Sequence, residues 1–260
     1  MVKGIDVFKS YFQPFPDNYI IIGGTACDMI MENEGLTARA TKDIDVILVV
    51  EAISSEFIQT FWKFVKDGNY NRKEVSNDER QYYRFLDPEK EDFPQQIELF
   101  SRNPDIIDLD PNTHLTPIPV DDDLSSLSAI LLDDTFYKYI LDHSEIVDEI
   151  HRAKTEALIV LKAKAYLDIS ARIAQGVAED SKHLKKHKND VFKLAMLFTG
   201  EEQFDLVEPI KSMLIEFLKM LKDDLPTTDM FKAMGMKGAT GTQAFNVIKK
   251  VFNLTEENLA

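Results

Sequence analysis

The chain has a single cysteine, Cys27, among 260 residues, so it cannot form an internal disulfide. No run is apolar for the ~20 residues that a membrane-spanning helix needs. The opening MVKGIDVFKS has no apolar signal-peptide core. These absences lead us to expect a cytoplasmic protein with no membrane partner. Glycine and proline number ten each and are scattered, without repeats or low-complexity tracts. The glycine patterns of a Walker A loop (no GKS or GKT) and of a dinucleotide fold (no GxGxxG) are missing. His183 and His187 have helical i, i+4 spacing, but no acidic residue completes an HExxH zinc motif, so they are expected on a basic face. Positive charge is scarce: 30 Lys/Arg against 45 Asp/Glu leave a formal charge of −15. A uniformly acidic surface repels nucleic acid, which is bound through its phosphates. A hydrophobic fraction of 44% and a charged fraction of 29% describe an ordinary globular chain with ample length for a core.

The charge is uneven. Between His151 and Lys193 there are ten Lys/Arg and five Asp/Glu, a local net of +5 against −20 for the remainder. A basic region inside an acidic protein fits a site for a phosphorylated ligand better than a broad nucleic-acid platform.

Along the chain, short β-type runs alternate with helical runs up to about residue 119. Residues 18–22 (NYIII) read as a buried strand that ends at Gly23-Gly24. A helix over 25–34 follows, with Thr25 as its cap. Residues 44–50 (IDVILVV) give a second buried strand, and 51–66 an amphipathic helix. Residues 81–86 and 95–100 give two more strands across a turn-rich 87–94. Residues 124–132 are a candidate edge strand. Helical periodicity then dominates at 135–141, 154–172, 189–198 and 207–221, with a glycine-containing loop at 235–241 and a last helix at 243–252. The expected fold class is α+β: an α/β domain with a mixed sheet over residues 1–125, then a mainly helical domain over 126–260, with the boundary between 120 and 150.

Chemistry concentrates in residues 23–50. Asp43 and Asp45 are two apart on an expected strand, so their carboxylates project to one face while Ile44 turns to the core. Adjacent carboxylates repel unless a cation lies between them. An all-oxygen donor set suits Mg²⁺, or Mn²⁺ in its place, with water and substrate phosphate as the other ligands. Two such ions can clamp an in-line phosphoryl displacement. Gly23-Gly24, between strand and helix, lets backbone approach a ligand closely, and the helix N-terminus beyond it favours phosphate. Thr25 can add a hydroxyl. Either feature alone is commonly a plain turn or a solvated strand end; on consecutive strands with a helix between, they are far more specific.

This strand–GG–helix–strand–DxD unit resembles the DNA polymerase β-like nucleotidyltransferases. The fuller string GGTA…RATKDIDV is similar to the AbiEii/AbiGii toxin family, with Arg39, Thr41, Asp43 and Asp45 matching its Arg-x-Ser/Thr-x-Asp-x-Asp run. LSSLSAILL (124–132), LIVLKAKAYLD (158–168) and KKHKNDVFKL (185–194) resemble later family motifs, so the likeness covers about the first 195 residues. The last 65 match nothing. The resemblance implies a polymerase β-like fold, NTP as substrate, nucleotide contacts from Gly23, Gly24, Thr25, Arg39 and Thr41, and a third metal-binding acid on a neighbouring strand. Glu98, flanked by Ile97 and Leu99 in QQIELF, is that candidate. It also matches Lys162 to the lysine of a Lys-x-x-Ala segment; Lys164, about 200° round the helix, is then the solvated one. The family's Lys-Asp pair is represented here by Asn189-Asp190, which leaves Lys185, Lys186 and Lys188 as candidates for the phosphate-binding cation, Lys188 being taken with Asp190.

The expected function is metal-dependent transfer of NMP from an NTP to an acceptor, either RNA or protein as in a toxin with a cognate antitoxin. A small-molecule, antibiotic-type nucleotidyltransferase and a non-catalytic nucleotide-binding or interaction protein are the alternatives. The acidic bulk favours a cationic small acceptor, the basic helices RNA.

Overall fold

The structure is a computed structural model describing residues 2–38, 41–75, 82–101, 116–117, 130–131, 133–176 and 181–255. Its centre is one mixed sheet. The strands are β1 Tyr19–Ile22, β2 Asp43–Leu48, β3 Tyr70–Val75, β4 Tyr82–Pro88, β5 Gln96–Phe100, β6 Thr116–Pro117, β7 Ser144–Val147 and β8 Ile150–Ala153. They lie in the order β6-β3-β4-β5-β2-β1-β8-β7. β1 runs antiparallel to β2, β2 parallel to β5, and β5 antiparallel to β4. The fold is therefore α+β with a mixed sheet, as the alternation of element types predicts.

Two helices, α1 Ile5–Phe12 and α3 Ser55–Gly68, cover one face of the sheet. Their aromatic side chains interlock: Phe12 lies 4.5 Å from Phe8, 5.4 Å from Phe64 and 5.6 Å from Phe57, centroid to centroid. Phe61 and Trp62 reach the sheet at Phe85. Rings at these separations bury large apolar areas and favour tilted and edge contacts. The expected helix over 51–66 begins later, at Ser55, because the Ser54 hydroxyl accepts the Phe57 N–H at 3.1 Å and caps it there.

The other face carries α2 Gly23–Asn33 and two long helices, α5 Thr155–Ala174 and α6 Ser181–Ala195. A shorter helix, α4 Asp134–Asp142, precedes β7. In α5 every residue from Glu156 to Ala163 is buried, as expected of a helix apolar nearly all round. After α6 come α7 Glu208–Leu221, α8 Thr228–Lys232 and α9 Gly241–Val251, which opens on a capping box between Thr240 and Gln243.

Several expectations need correcting. Thr25 is not a cap: α2 starts at Gly23 after an extended Ile22, which places Thr25 inside the helix. The described part of the candidate edge strand 124–132, Ile130-Leu131, is helical; the rest lies outside the described residues. The helix expected from 189 begins at Ser181, so the whole basic run 181–190 is one helical surface. The sheet does not stop at residue 125, because the β7–β8 hairpin at 144–153 joins it, β8 running parallel to β1. Among the described residues, the elements from Thr155 onward are all helices. No helix among the described residues is long and apolar enough to cross a membrane.

Candidate active site

Strand register assembles the acids. Asp43 opens β2 and pairs with Gln96, and Asp45 pairs with Glu98, on the parallel neighbour β5. Glu98 in turn pairs with Arg84 on β4. Asp45, Glu98 and Arg84 thus form one row across three strands, on the face opposite the buried row Ile44, Ile97 and Phe85. Glu98 is buried, and its Oε1 accepts from Arg84 Nε at 2.9 Å and from Gln96 Nε2 at 2.6 Å. Its carboxyl is also hydrogen-bonded to that of Asp45, an arrangement that needs one proton between them.

The glycine turn serves Asp45 directly. Gly23 has φ +67°, and a Cβ on it would lie 1.7 Å from Asp45 Oδ2. No residue with a side chain fits there while Asp45 keeps its place. The Gly24 N–H, at the start of α2, donates to the Asp45 carboxylate. The helix terminus expected to meet phosphate therefore holds an acid first. Thr25 is fully buried and its hydroxyl donates to the Asp43 carbonyl, so it fixes α2 to β2 and does not offer a hydroxyl to a ligand. The Thr41 N–H donates to the buried Asp28 at 2.8 Å, and Thr41 lines the cleft. Arg39 lies outside the described residues.

The acids face a cleft of about 210 Å³ between the sheet and helices α5 and α6. Lys162 and Ala165 line it from α5, and His183, Lys186 and His187 from α6. Lys162 sits in the most buried stretch of α5, where an ammonium requires a partner. Asp190 supplies it, with Lys162 Nζ 3.0 Å from Asp190 Oδ2 and both side chains about 5% exposed. Lys193 approaches the other oxygen of Asp190 at 3.8 Å. Lys164 turns away and pairs with Asp168 one turn on. Among the three candidate lysines of α6, Lys186 faces the acids, and its charge draws down the pKa of both Asp43 and Asp45. Lys188, expected at the nucleotide, is instead bound to Asp224, 2.7 Å from its Oδ2, on the far side of α6. Asp190 acts here as the counter-ion of Lys162. Arg84 and Gln96 complete the site beyond the residues singled out from sequence, and Lys186 is the one of the three candidate lysines that lines it.

Burial pushes the Glu98 carboxyl well above the ordinary carboxylate range, and the adjacent Asp45 adds to this against the pull of Arg84. Burial likewise raises Asp45, opposed by Lys186 and Lys162, and it raises Asp43 with Asp45 assisting. Asp45 thus has a like-charged neighbour on each side, Asp43 and Glu98, and close carboxylates favour the protonated form. The donor set is all oxygen and suits a hard divalent cation. Among the described residues no three His, Cys, Asp or Glu side chains form a metal cluster by themselves. Asp43 and Asp45 could supply the one or two carboxylates that Mg²⁺ ordinarily takes, with water and phosphate as its other ligands. Glu98 is committed to Arg84, Gln96 and Asp45.

No family model matches the chain, and no curated protein matches it. The chemistry of the cleft therefore has to be read from its own residues.

Two outcomes follow from this geometry. Between the ordinary aspartate value of 3.8 and the raised folded values, the folded state binds more protons than the unfolded chain. Stability contributed by these groups therefore falls as pH rises through that window. Asp45→Asn should raise the melting temperature at pH 7, by about 2–4 °C per kcal/mol of repulsion relieved, and flatten this pH slope. Mg²⁺ should stabilise the native protein and not the variant. Equal melting curves at pH 7, with equal Mg²⁺ shifts, would contradict the repulsion. Gly23→Ala should lose at least ~1–2 kcal/mol from the left-handed backbone alone in urea unfolding. It should also abolish the Mg²⁺ shift by displacing Asp45; an unchanged shift would show that the turn does not seat that acid.

Proposed function

We infer that the protein is a metal-dependent nucleotidyltransferase that moves NMP from an NTP to an acceptor, with a polymerase β-like arrangement of its catalytic strands. The observation that carries this reading is the Asp43–Asp45 pair, two residues apart on β2, held against the Gly23 turn and opposed across the cleft by Lys186 and Lys162. Paired acids opposite paired cations match a triphosphate whose oxygens must be bound through a divalent ion on one side and ammonium groups on the other. The strand–GG–helix–strand–DxD order and its likeness to the AbiEii/AbiGii toxins support the same reading.

In the reaction, an acceptor oxygen or nitrogen attacks the α-phosphorus of the NTP and gives up its proton to water. The α–β phosphoanhydride bond breaks, and pyrophosphate leaves. When bound, Mg²⁺ would polarise the phosphate oxygens and offset their charge. Asp43 and Asp45 hold that charge in place. Lys186 and Lys162 lie where negative charge accumulates on the leaving pyrophosphate, and Asp190 keeps Lys162 aimed inward. Glu98 acts through Asp45: clamped by Arg84 and Gln96, it fixes the orientation of the metal-binding oxygen. Apolar Leu158 and Leu161 form the α5 wall and limit water in the cleft.

The test is label transfer. The protein is incubated with Mg²⁺ or Mn²⁺ and each NTP labelled at the α-phosphate, with total RNA, cell protein or a small cationic acceptor such as an aminoglycoside. Label should enter one acceptor class, and Asp43→Asn or Asp45→Asn should lower the rate at least about 10²-fold. Transfer of γ-label instead of α-label, or of neither, would overturn the reading. Lys186→Glu should weaken Mg²⁺·NTP binding about tenfold or more, whereas Lys188→Glu, on the far face with Asp224, should leave it unchanged.

A further inference from the structure

A second hollow, about 250 Å³, lies beside the carboxylate cleft. The same three segments run through both. On α2, Gly23 and Gly24 line the cleft and Cys27, Asp28 and Met31 line the hollow, one to two turns on. On α6 the cleft takes His183, Lys186 and His187, and the hollow takes Asp190, Lys193 and Leu194. Thr41 lines the first, and Thr37 and Ala38 the second. The Lys162–Asp190 ion pair stands between them, its lysine in the cleft wall and its aspartate in the hollow wall. At 1.5 Å per helical residue, the two centres are roughly 6–10 Å apart.

The roof of the hollow comes from the C-terminal helices. Met230, Ala233 and Met234 of the α8 segment close it, and the Thr37 N–H donates to the Met234 carbonyl at 3.3 Å, which ties that roof to the strand-side segment. The walls are thus mostly thioether and aliphatic, from Met31, Leu194, Met230 and Met234, with three charged groups among them, the buried Asp28 and Asp190 and the largely buried Lys193. Methionine sulfur packs well against flat aromatic rings, and the carboxylates and ammonium in the wall can hydrogen-bond to a ring's polar atoms. Each hollow alone is smaller than the ~300 Å³ at which small-molecule sites begin, while the two together fall inside the usual range.

The geometry points to the second hollow as the nucleobase site: the triphosphate lies over Asp43, Asp45 and Lys186, the ribose crosses the Lys162–Asp190 pair, and the base enters between Met31, Met230 and Met234. This rests on the nucleotidyl-transfer reading, and it gives part of the last 65 residues, which resemble nothing in sequence, a role in holding the substrate. A polymeric acceptor does not suit this hollow, which is roofed by α8 and sized for one ring system.

The experiment fills the hollow from its rim. Ala233 is exposed at the mouth, so Ala233→Trp adds a ring there without disturbing the core; Thr37, exposed on the opposite wall, allows the same with Thr37→Trp. Binding of the four ribonucleoside triphosphates and of tripolyphosphate, each with Mg²⁺, is measured by calorimetry on the native protein and both variants. Both variants should bind the best native NTP at least about tenfold more weakly and tripolyphosphate with unchanged affinity. Unchanged NTP affinity in both, or equal losses for NTP and tripolyphosphate, would overturn the base site. Failure of the native protein to bind either ligand would instead overturn the nucleotidyl-transfer reading itself.

Discussion

Asp45 is held where a side chain on residue 23 would have to be. Its carboxylate fills the space beside Gly23, accepts the Gly24 N–H and shares a hydrogen bond with Glu98. The rest of the site follows from this close fit. A buried carboxylate in contact with a second one is costly unless donors or cations surround it. Donors arrive from every side: the start of α2, Arg84 and Gln96 through Glu98, and Lys186 and Lys162 across the cleft. None fully offsets burial, since the carboxyls remain biased toward their protonated forms. That residual bias is what a divalent cation with a bound phosphate would remove.

The scaffold makes this strain tolerable. The strands under the acids are apolar on their reverse face, where Ile44, Ile97 and Phe85 sit fully buried against α3. A cluster of aromatic rings holds α1 and α3 to that face, so the row Asp45–Glu98–Arg84 cannot splay apart to relieve its repulsion. On the functional face, α6 divides its basic residues between two surfaces. Residues 183, 186 and 187 look into the cleft, and 185 and 188 look toward Asp224 and the segment after α7. One helix thus brings positive charge to the cleft, through Lys186, in a chain that is otherwise strongly acidic.

Much of this was legible in the sequence. The i, i+2 spacing of Asp43 and Asp45, and the Ile97-Glu98-Leu99 alternation, fix faces on strands because the side-chain period is two. The same rule, applied to QYYRFL, would have put Arg84 opposite Tyr83 and Phe85 and hence beside Glu98. A helix begun at 189 leaves no basis for choosing Lys186 over Lys185 and Lys188. With the start at Ser181, the period of 3.6 places 183, 186, 187 and 190 together and 188 apart. The part played by Gly23 was not legible: a glycine pair looks the same whether it admits phosphate or a neighbouring carboxylate. The β7–β8 hairpin is not legible because SEIV and IHRA are too short and polar to stand out, and their support is non-local: pairing with β1 and the bond of His151 to the Pro16 carbonyl. Lys162–Asp190 could not be paired from sequence, being 28 positions apart on different helices.

The central claim is that the Asp43–Asp45 row binds a divalent cation at the Gly23 turn. Paramagnetic Mn²⁺, titrated at substoichiometric levels into isotope-labelled protein, tests it residue by residue. The amide signals of Gly23, Gly24, Asp43, Ile44, Asp45 and Glu98 should broaden first, before those of the exposed surface acids. Broadening that begins at surface acids such as Asp223 or Glu208, with the Gly23–Asp45 signals intact, would contradict the account.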